Sequence, residues 1–94
     1  LYTGAASWYY RAAVETVLGI RREGGRLFLS PHLPPEWETA AFSARIAGTP
    51  LEVEYRRGKA LRLTVDGAER EDIPLDGIPH RAVLEIPRPI ENKP

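Results

Sequence analysis

Hydrophobic positions follow a helical spacing near the start of the chain. Apolar or small side chains occupy most positions from Ala5 to Ile20, while Arg11 and Glu15 share one narrow strip of a helix. A helix that is apolar around most of its circumference must be covered on most sides. The rest of the chain can cover one face of it at most, so the pattern predicts that this helix packs into a larger helical body.

The predicted helix has recognisable ends. Thr3 or Ser7 can cap its N-terminus, because either hydroxyl can accept a hydrogen bond from an amide of the first turn. Gly19 can end it, because glycine readily takes the left-handed conformation found after helices. The helix is therefore predicted from Ala5 to Leu18.

The next residues predict a connection between two regions. Arg22–Gly25 is typical of a turn, and Arg26–Leu29 of a short strand. Ser30–Trp37 contains three prolines, which exclude regular pairing and favour an extended connector. We place the boundary between the two regions at Trp37.

From Thr39 onward the hydrophobic period changes to two. Apolar residues alternate with polar ones in three runs: Phe42, Ala44 and Ile46; Leu51, Val53 and Tyr55; Leu61, Leu63 and Val65. Arg81–Ile86 predicts a last strand, and Asp66–Gly67 between alternating runs is a strong hairpin signal.

These patterns predict a mostly β fold with one N-terminal α-helix. Five or six short antiparallel strands with turns about every ten residues are typical of a β-sandwich or jelly roll. The chain divides into a helix at 1–20, a turn, short strand and connector at 21–37, and the sandwich at 38–94.

Composition narrows the function classes. The net charge is zero, with 13 basic and 13 acidic residues, which argues against a nucleic-acid or anionic membrane partner. No apolar run approaches the roughly 18 residues that a membrane span needs, and no basic, then apolar leader is present. Cysteine is absent, which excludes disulfides and thiolate chemistry. Because the chain also lacks methionine, we expect it to be part of a longer protein.

The residues alone suggest little chemistry. His32 and His80 do not have a recognised metal-ligand spacing, so no metal is expected. Trp8, Tyr9 and Tyr10 could stack on sugar rings, but the core of a helical body is the simpler interpretation. Trp37 is expected to wedge the connector rather than bind a ligand. Seven acidic residues are expected on the solvated sheet face rather than as an acid and base pair: Glu52, Glu54, Asp66, Glu69, Glu71, Asp72 and Asp76.

Three motifs together carry a family resemblance. They are Tyr2-Thr3-Gly4-Ala5-Ala6-Ser7-Trp8-Tyr9-Tyr10-Arg11, then Glu15-Thr16-Val17-Leu18-Gly19-Ile20-Arg21-Arg22-Glu23-Gly24, then Pro31-His32-Leu33-Pro34 with Trp37. This stretch resembles the C-terminal end of glycoside hydrolase family 94, which holds cellobiose and chitobiose phosphorylases and the C-terminal region of cyclic β-1,2-glucan synthases. The aromatic-Tyr-Arg ending of the first motif is most similar to the glucan synthase branch.

The resemblance implies a fold and a reaction. Family members have an (α/α)6 barrel, whose last helix would correspond to Ala5–Leu18, followed by a two-sheet jelly roll. They cleave a β-glucoside by inverting phosphorolysis, in which phosphate attacks the anomeric carbon while a carboxylic acid protonates the leaving oxygen. Thr3 and Gly4 match the family's Thr-Gly pair that helps to bind this phosphate. Independently of the family, a hydroxyl and free amides at a helix N-terminus suit an anion.

The resemblance also sets the remaining expectations. The general acid and the sugar-binding residues belong upstream of Leu1, so no catalytic residue is assigned and the chain alone is expected to be inactive. No cofactor is expected beyond inorganic phosphate as a co-substrate of the parent enzyme. The expected partners are the upstream barrel and, through the parent, a β-glucan oligosaccharide. The expected location is the cytoplasmic side, with tethering of the parent to the inner membrane left open.

Two functions remain open at this point. The first is the C-terminal part of a β-glucan phosphorylase or cyclic glucan synthase, contributing part of the phosphate site and a packing domain. The alternative is a free-standing carbohydrate-binding or structural module with no catalytic role. We also expect the apolar helix to drive self-association of the isolated chain.

Overall fold

The fold is built almost entirely from β-strands. The structure is a computed structural model, and it describes residues 17–88 of the chain. Val17 and Leu18 have helical backbone, and the rest of the predicted helix lies outside the described residues. The strands are β1 (Ile20–Glu23), β2 (Arg26–Leu29), β3 (Thr39–Ile46), β4 (Thr49–Gly58), β5 (Arg62–Val65), β6 (Ala68–Arg70), β7 (Ile73–Pro74) and β8 (His80–Pro87).

The larger sheet follows the predicted period of two. It has five strands in the order β3-β4-β8-β5-β6. In β4, Leu51, Val53 and Tyr55 are buried, while Glu52 is exposed and Glu54 is half-buried. The alternation therefore places one face of the sheet toward a core and the other toward solvent.

Two hairpins use tight two-residue turns. Ala47 and Gly48 join β3 to β4 with φ angles of 50° and 75°, and Asp66 and Gly67 join β5 to β6 with φ angles of 54° and 88°. Two successive positive φ angles are the mark of a type I′ turn, whose twist matches that of paired strands. The hairpin predicted at Asp66–Gly67 is thus confirmed.

One pairing differs from the predicted antiparallel arrangement. β8 lies between β4 and β5, antiparallel to β5 but parallel to β4, with Leu51 opposite His80 and Tyr55 opposite Leu84. Parallel neighbours need a long crossover rather than a tight turn. Residues 59–79 supply that crossover, and alternation within a strand cannot reveal the direction of a partner that lies so far along the chain.

The smaller sheet contains two strands that the sequence did not predict, β1 and the two-residue β7. It has the order β1-β2-β7, and β1 occupies residues expected to end a helix and form a turn. Three of the four β1 residues are exposed, namely Arg21, Arg22 and Glu23. An edge strand with both faces in water shows no alternation, so its pairing with β2 is visible only in the structure.

Both sheets share one core. Leu27 and Ile73 of the smaller sheet and Tyr55 of the larger one have no exposed surface. The other buried apolar residues are Leu18, Phe42, Leu51, Val53, Leu63, Val65, Ala82 and Leu84. The mostly β, two-sheet fold class is confirmed. The more specific jelly-roll assignment and the division at 1–20, 21–37 and 38–94 stay predictions, although the core includes Leu18 and Leu27 from before Trp37.

Candidate functional site

The predicted phosphate residues lie outside the part of the chain that the structure describes. This applies to Thr3 and Gly4, and also to the aromatic residues Trp8, Tyr9 and Tyr10. The structure does describe the point where the segment that carries them joins the β-domain. That junction is the candidate functional site.

Three successive carbonyl groups are bonded at this junction. The carbonyl oxygen of Val17 accepts a hydrogen bond from the His32 amide, and that of Gly19 from the Ser30 amide, each at 2.8 Å. Between them, the Leu18 carbonyl oxygen accepts one from the Tyr55 hydroxyl, also at 2.8 Å. The last carbonyls of a helix have no partner within the helix. We call this arrangement, formed by Ser30, His32 and Tyr55, the carbonyl clamp.

Gly19 allows the clamp to close. Its φ is +66°, the left-handed conformation predicted for it, and a Cβ at this position would overlap the carbonyl oxygen of Ser30. Any other L-residue would meet both the strain of positive φ and this clash. The close approach of the two backbone segments therefore depends on glycine.

Tyr55 carries the clamp into the core. Its side chain has no exposed surface, and its ring lies 6.2 Å from the ring of Phe42, centroid to centroid. Burial raises the pKa of the Tyr55 hydroxyl above its ordinary value, because the phenolate would be poorly solvated there. The hydroxyl thus stays a neutral donor, and a buried tyrosine hydroxyl normally has such a partner.

Arg57 fixes the connector that follows the clamp. Its guanidinium donates to the carbonyl oxygens of Leu33, Pro34, Trp37 and Pro87 at 3.3, 3.0, 3.1 and 3.3 Å. Prolines remove amide donors from this segment, so it cannot be held by a backbone ladder. The Arg57 guanidinium, a planar cation with several donors, holds this segment instead.

A second cluster lies where β8 begins. The His80 ring contacts Asp66 through Nδ1 at 2.6 Å and Asp76 through Nε2 at 2.9 Å, and its side chain is 9% exposed. The hydrogen bond to Asp66, followed by that to Asp76, raises the pKa of His80 above its ordinary value despite desolvation. We call these three residues the histidine cluster. It joins the β5–β6 turn to the loop before β8.

The aspartates of the histidine cluster have further backbone partners. Asp66 Oδ1 accepts from the Arg81 amide, and Asp76 Oδ1 accepts from the Ile78 amide, both at 3.0 Å. These backbone hydrogen bonds, and then those with His80, lower the pKa of both carboxyl groups. The carboxylates are held as turn-forming acceptors, which gives the cluster a structural rather than a catalytic arrangement.

The acidic residues expected on the solvated face are not all there. Glu52 and Glu54 do lie beside arginines on the outer face of the larger sheet. Asp72 is instead buried, 7% exposed, and its carboxylate contacts Arg26 at 3.3 Å and Arg70 at 3.1 Å. The contact with Arg26 spans 46 residues of sequence, so spacing could not identify it.

Sequence reasoning missed the roles of Tyr55 and Arg57. Tyr55 was expected in the core and is there, but its hydroxyl bond to Leu18 was not foreseen. The sequence did contain a signal for this bond. Tyr55 is in phase with the aliphatic core positions of its strand, and a buried tyrosine hydroxyl needs a hydrogen-bond partner. Arg57 follows the alternating run that ends at Tyr55, and nothing in that alternation indicates its contacts with the connector. His80 is hydrogen-bonded, as expected from its lack of metal spacing.

Two kinds of feature are absent from the described residues. Within residues 17–88, no three histidine, aspartate or glutamate side chains are placed to hold a metal ion. In the same range, no helix is long and apolar enough to cross a membrane.

Comparison with known proteins identifies the domain. Residues 20–81 match the family model described as glycosyl hydrolase family 65, C-terminal domain. The chain is 45% identical over 56 residues to a cyclic beta-(1,2)-glucan synthase NdvB of Rhizobium meliloti (strain 1021), covering 60% of this chain. It is 32% identical over 68 residues to a cellobionic acid phosphorylase of Neurospora crassa, covering 72% of this chain.

These matches agree with the resemblance found in the sequence. Both relatives are members of glycoside hydrolase family 94, so the resemblance to that family is confirmed, although the matching domain model is described for family 65. The chain spans only 2% and 9% of the length of these two curated relatives. Because the family model covers residues 20–81, the chain belongs to the glycosyl hydrolase family 65 C-terminal domains.

Proposed function

We propose that this chain is the C-terminal packing domain of a carbohydrate-active enzyme that acts on β-glucans by inverting phosphorolysis. Its task is to hold the last helix of an upstream barrel in place, so that Thr3 and Gly4 at the start of that helix meet the phosphate. The carbonyl clamp is the observation that carries this proposal. It binds the chain at Val17–Gly19, where the predicted helix ends.

The distance along the helix explains why the clamp matters. Fifteen residues separate Thr3 from Leu18, which is about 22 Å of α-helix. A tilt of about 10° at Leu18 would move Thr3 by roughly 4 Å. Since misplacement of a reacting group by about 1 Å can reduce a rate by about 100-fold, an anchored helix end is a condition for a working phosphate site.

The chemistry at the phosphate rests on the family resemblance. The Thr3 hydroxyl and the Gly4 amide would donate to phosphate oxygens, where the helix dipole also favours negative charge. The general acid and the sugar subsites would come from the barrel. In this proposal inorganic phosphate and a β-glucan oligosaccharide reach the chain only within the parent enzyme.

A carbohydrate-binding module is the alternative. Such a module normally presents aromatic rings on a sheet face for sugar rings to stack on. In the larger sheet Phe42 and Tyr55 are buried, and the large aromatic residue exposed in the described part of the chain, Trp37, lies in the connector. In the smaller sheet Phe28 is half-buried, and the Arg21 guanidinium lies 5.0 Å from the centroid of its ring. The described sheet faces therefore favour a packing role.

An amide NMR titration of the 94-residue chain separates the two functions. We expect no saturable response to a linear β-1,2-glucan oligosaccharide and at most weak shifts with inorganic phosphate, centred on Thr3 and Gly4. Tyr55→Phe serves as the matched variant, because it releases one bond of the clamp while keeping the ring. Saturable shifts confined to the sheets on addition of sugar would overturn the packing role.

A further inference from the structure

The four edges of the two sheets differ in how well they are protected. β6 is three residues long, β7 is two residues long and ends in proline, and β1 carries Arg21, Arg22 and Glu23. Shortness, proline and charge are the usual protections against edge pairing. β3 has none of them, since it is eight residues long, contains no proline and carries one charge, Arg45. Among residues 17–88, no strand pairs with its outer side.

The backbone groups that point away from β4 can be identified. Two hydrogen-bonded pairs fix which residues of this segment face β4. Ile46 and Thr49 close the two-residue hairpin, and at the other end of the ladder the Arg57 amide donates to the Glu38 carbonyl oxygen at 3.0 Å. Residues of an antiparallel strand direct their amide and carbonyl alternately to one side and the other. The groups directed outward are therefore those of Thr39, Ala41, Ser43 and Arg45.

The core-facing row of β3 is incompletely covered. Phe42 is buried, but Ala40 and Ile46 are only half-buried. Ala44 is exposed, although it lies opposite the buried Leu51. Apolar surface therefore continues from the core to the open edge of the sheet.

The outer face beside β3 is a shallow cleft that carries both signs of charge, because Arg81 lines it together with Glu52 and Glu54. Ala41 and Ser43 form its floor, and Glu54 and Glu52, their partners on β4, form one wall. The small side chains leave the two carboxylates accessible from the edge. A strand that added to this edge would bring its own side chains over the cleft.

We propose that β3 pairs with β3 of a second copy of this chain, antiparallel, around a two-fold axis at Ser43. In this register the core-facing side chains of both copies lie on the same face of the joined sheet, because side chains alternate between the two faces with a period of two residues. Phe42 lies opposite Ala44 of the second copy, and Ile46 lies opposite Ala40. Each large side chain thus faces a small one, and the exposed Ala44 is covered.

Charge complementarity selects this register. Arg45 of the second copy lies beside Ala41, and the next residue across the sheet is Glu54, whose carboxylate also contacts Arg56 at 3.1 Å. A register centred on Phe42 would instead place Arg45 beside Thr39, whose neighbour across the sheet is Arg56. It would also set Phe42 against itself and leave two alanines opposite each other. The axis at Ser43 is therefore favoured, and it joins two five-stranded sheets into one.

The interaction is tested by sedimentation equilibrium of the 94-residue chain. We expect a reversible dimer in which the Ala41 and Ser43 amides gain protection from exchange. Arg45→Glu should raise the dissociation constant about 10-fold or more, and the added Glu54→Arg substitution should restore it to within about 3-fold. Arg45 is exposed and Glu54 is half-buried at the sheet surface, so the folded amide spectrum is expected to persist.

A backbone test is independent of charge. Ser43→Pro removes an outward amide at the axis without affecting the bonds to β4, and should also raise the dissociation constant about 10-fold or more. Ser43→Thr keeps the amide and is the matched control. This proposal does not depend on the proposed function, because it concerns the strand edge and not the phosphate.

Three outcomes would overturn the dimer. One is a strict monomer up to about 1 mM, a concentration at which even weak specific pairs associate. Another is a dimer unaffected by Arg45→Glu and Ser43→Pro, which would place the contact elsewhere, such as on the predicted apolar helix. The third is a monomer with protected Ala41 and Ser43 amides, since another segment of the same chain would then occupy the edge.

Discussion

The two ends of the parallel β4–β8 pair are held by different chemistry. Near one end, Tyr55 closes the carbonyl clamp and Arg57 binds the connector, in both cases by donating to backbone carbonyl oxygens. At the other end, His80 joins two loops through the carboxylates of Asp66 and Asp76. At the first end, burial raises the pKa of the Tyr55 hydroxyl and keeps this donor neutral, whereas at the second the hydrogen bonds to Asp66 and Asp76 raise the pKa of His80.

The difference matches what each end has to do. Under the proposed packing role, the clamp end holds the segment that carries Thr3 and Gly4, so its geometry should not change with pH. The histidine end joins surface turns, where partial loosening leaves the core intact. Three substitutions test this contrast, and their expected effects decrease in the order given.

Gly19→Ala should have the largest effect. Alanine at this position would have to adopt a positive φ angle, and its Cβ would overlap the Ser30 carbonyl oxygen. We therefore expect the free energy of unfolding to fall by about 3 kcal/mol or more. Urea unfolding followed by circular dichroism measures this change.

Gly48→Ala is the matched control for Gly19→Ala. Gly48 also has positive φ, +75°, but a Cβ there would contact nothing within 4 Å. Its loss should be about 1 to 2 kcal/mol, the strain of the left-handed conformation alone. Equal losses at both positions would show that the clamp does not depend on the close approach of Gly19 and Ser30.

Tyr55→Phe should have an intermediate effect. The ring still fills the core, but the Leu18 carbonyl oxygen loses its donor, at an expected cost of about 1 to 3 kcal/mol. The loss should be the same at about pH 6 and about pH 8, because the raised pKa of Tyr55 keeps the hydroxyl protonated at both. Urea midpoints at the two pH values give the result, and a loss confined to one of them would contradict the contrast between the two ends.

His80→Gln should have the smallest effect, and that effect should depend on pH. Because the folded-state pKa of His80 is raised, its contribution is complete below about pH 6.5 and is lost as the pH rises through the folded pKa. The carboxyl groups of Asp66 and Asp76 have lowered pKa values. Their contribution is therefore present above about pH 3.9 and is lost as the pH falls through those values.

The measurement is the difference in urea midpoint between the wild type and His80→Gln from about pH 5 to about pH 9. This difference should shrink as the pH rises. His32→Gln, at an exposed histidine of the connector, is the control and should leave the profile unchanged. A constant difference for His80→Gln would mean that the ring acts by its shape and not by its charge.

Much of the fold follows from short-range patterns. The alternation at Leu51, Val53 and Tyr55 predicts a half-buried strand, and Asp66–Gly67 predicts a tight hairpin, because both depend on residues that are neighbours in sequence. β1 could not be predicted in this way. Arg21, Arg22 and Glu23 form a strand only because β2 supplies backbone partners, and no side-chain pattern records that.

The candidate site was less predictable than the fold. Gly19 was correctly expected to be left-handed, yet its approach to Ser30 depends on the path of the connector. The buried position of Asp72 likewise depends on two arginines from different strands. Thr3 and Gly4 stay predictions, since they lie outside the described residues.

Local sequence was enough to set the positions of the alternating strands, the mostly β character and the left-handed Gly19, because hydrophobic period and turn chemistry act over a few residues. The direction of β8 beside β4, the joining of Tyr55 to Leu18 across 37 residues and the exposure of the β3 edge arose only in the tertiary structure. These features depend on which distant segments meet when the core closes, and that choice is made by the packing of the whole chain.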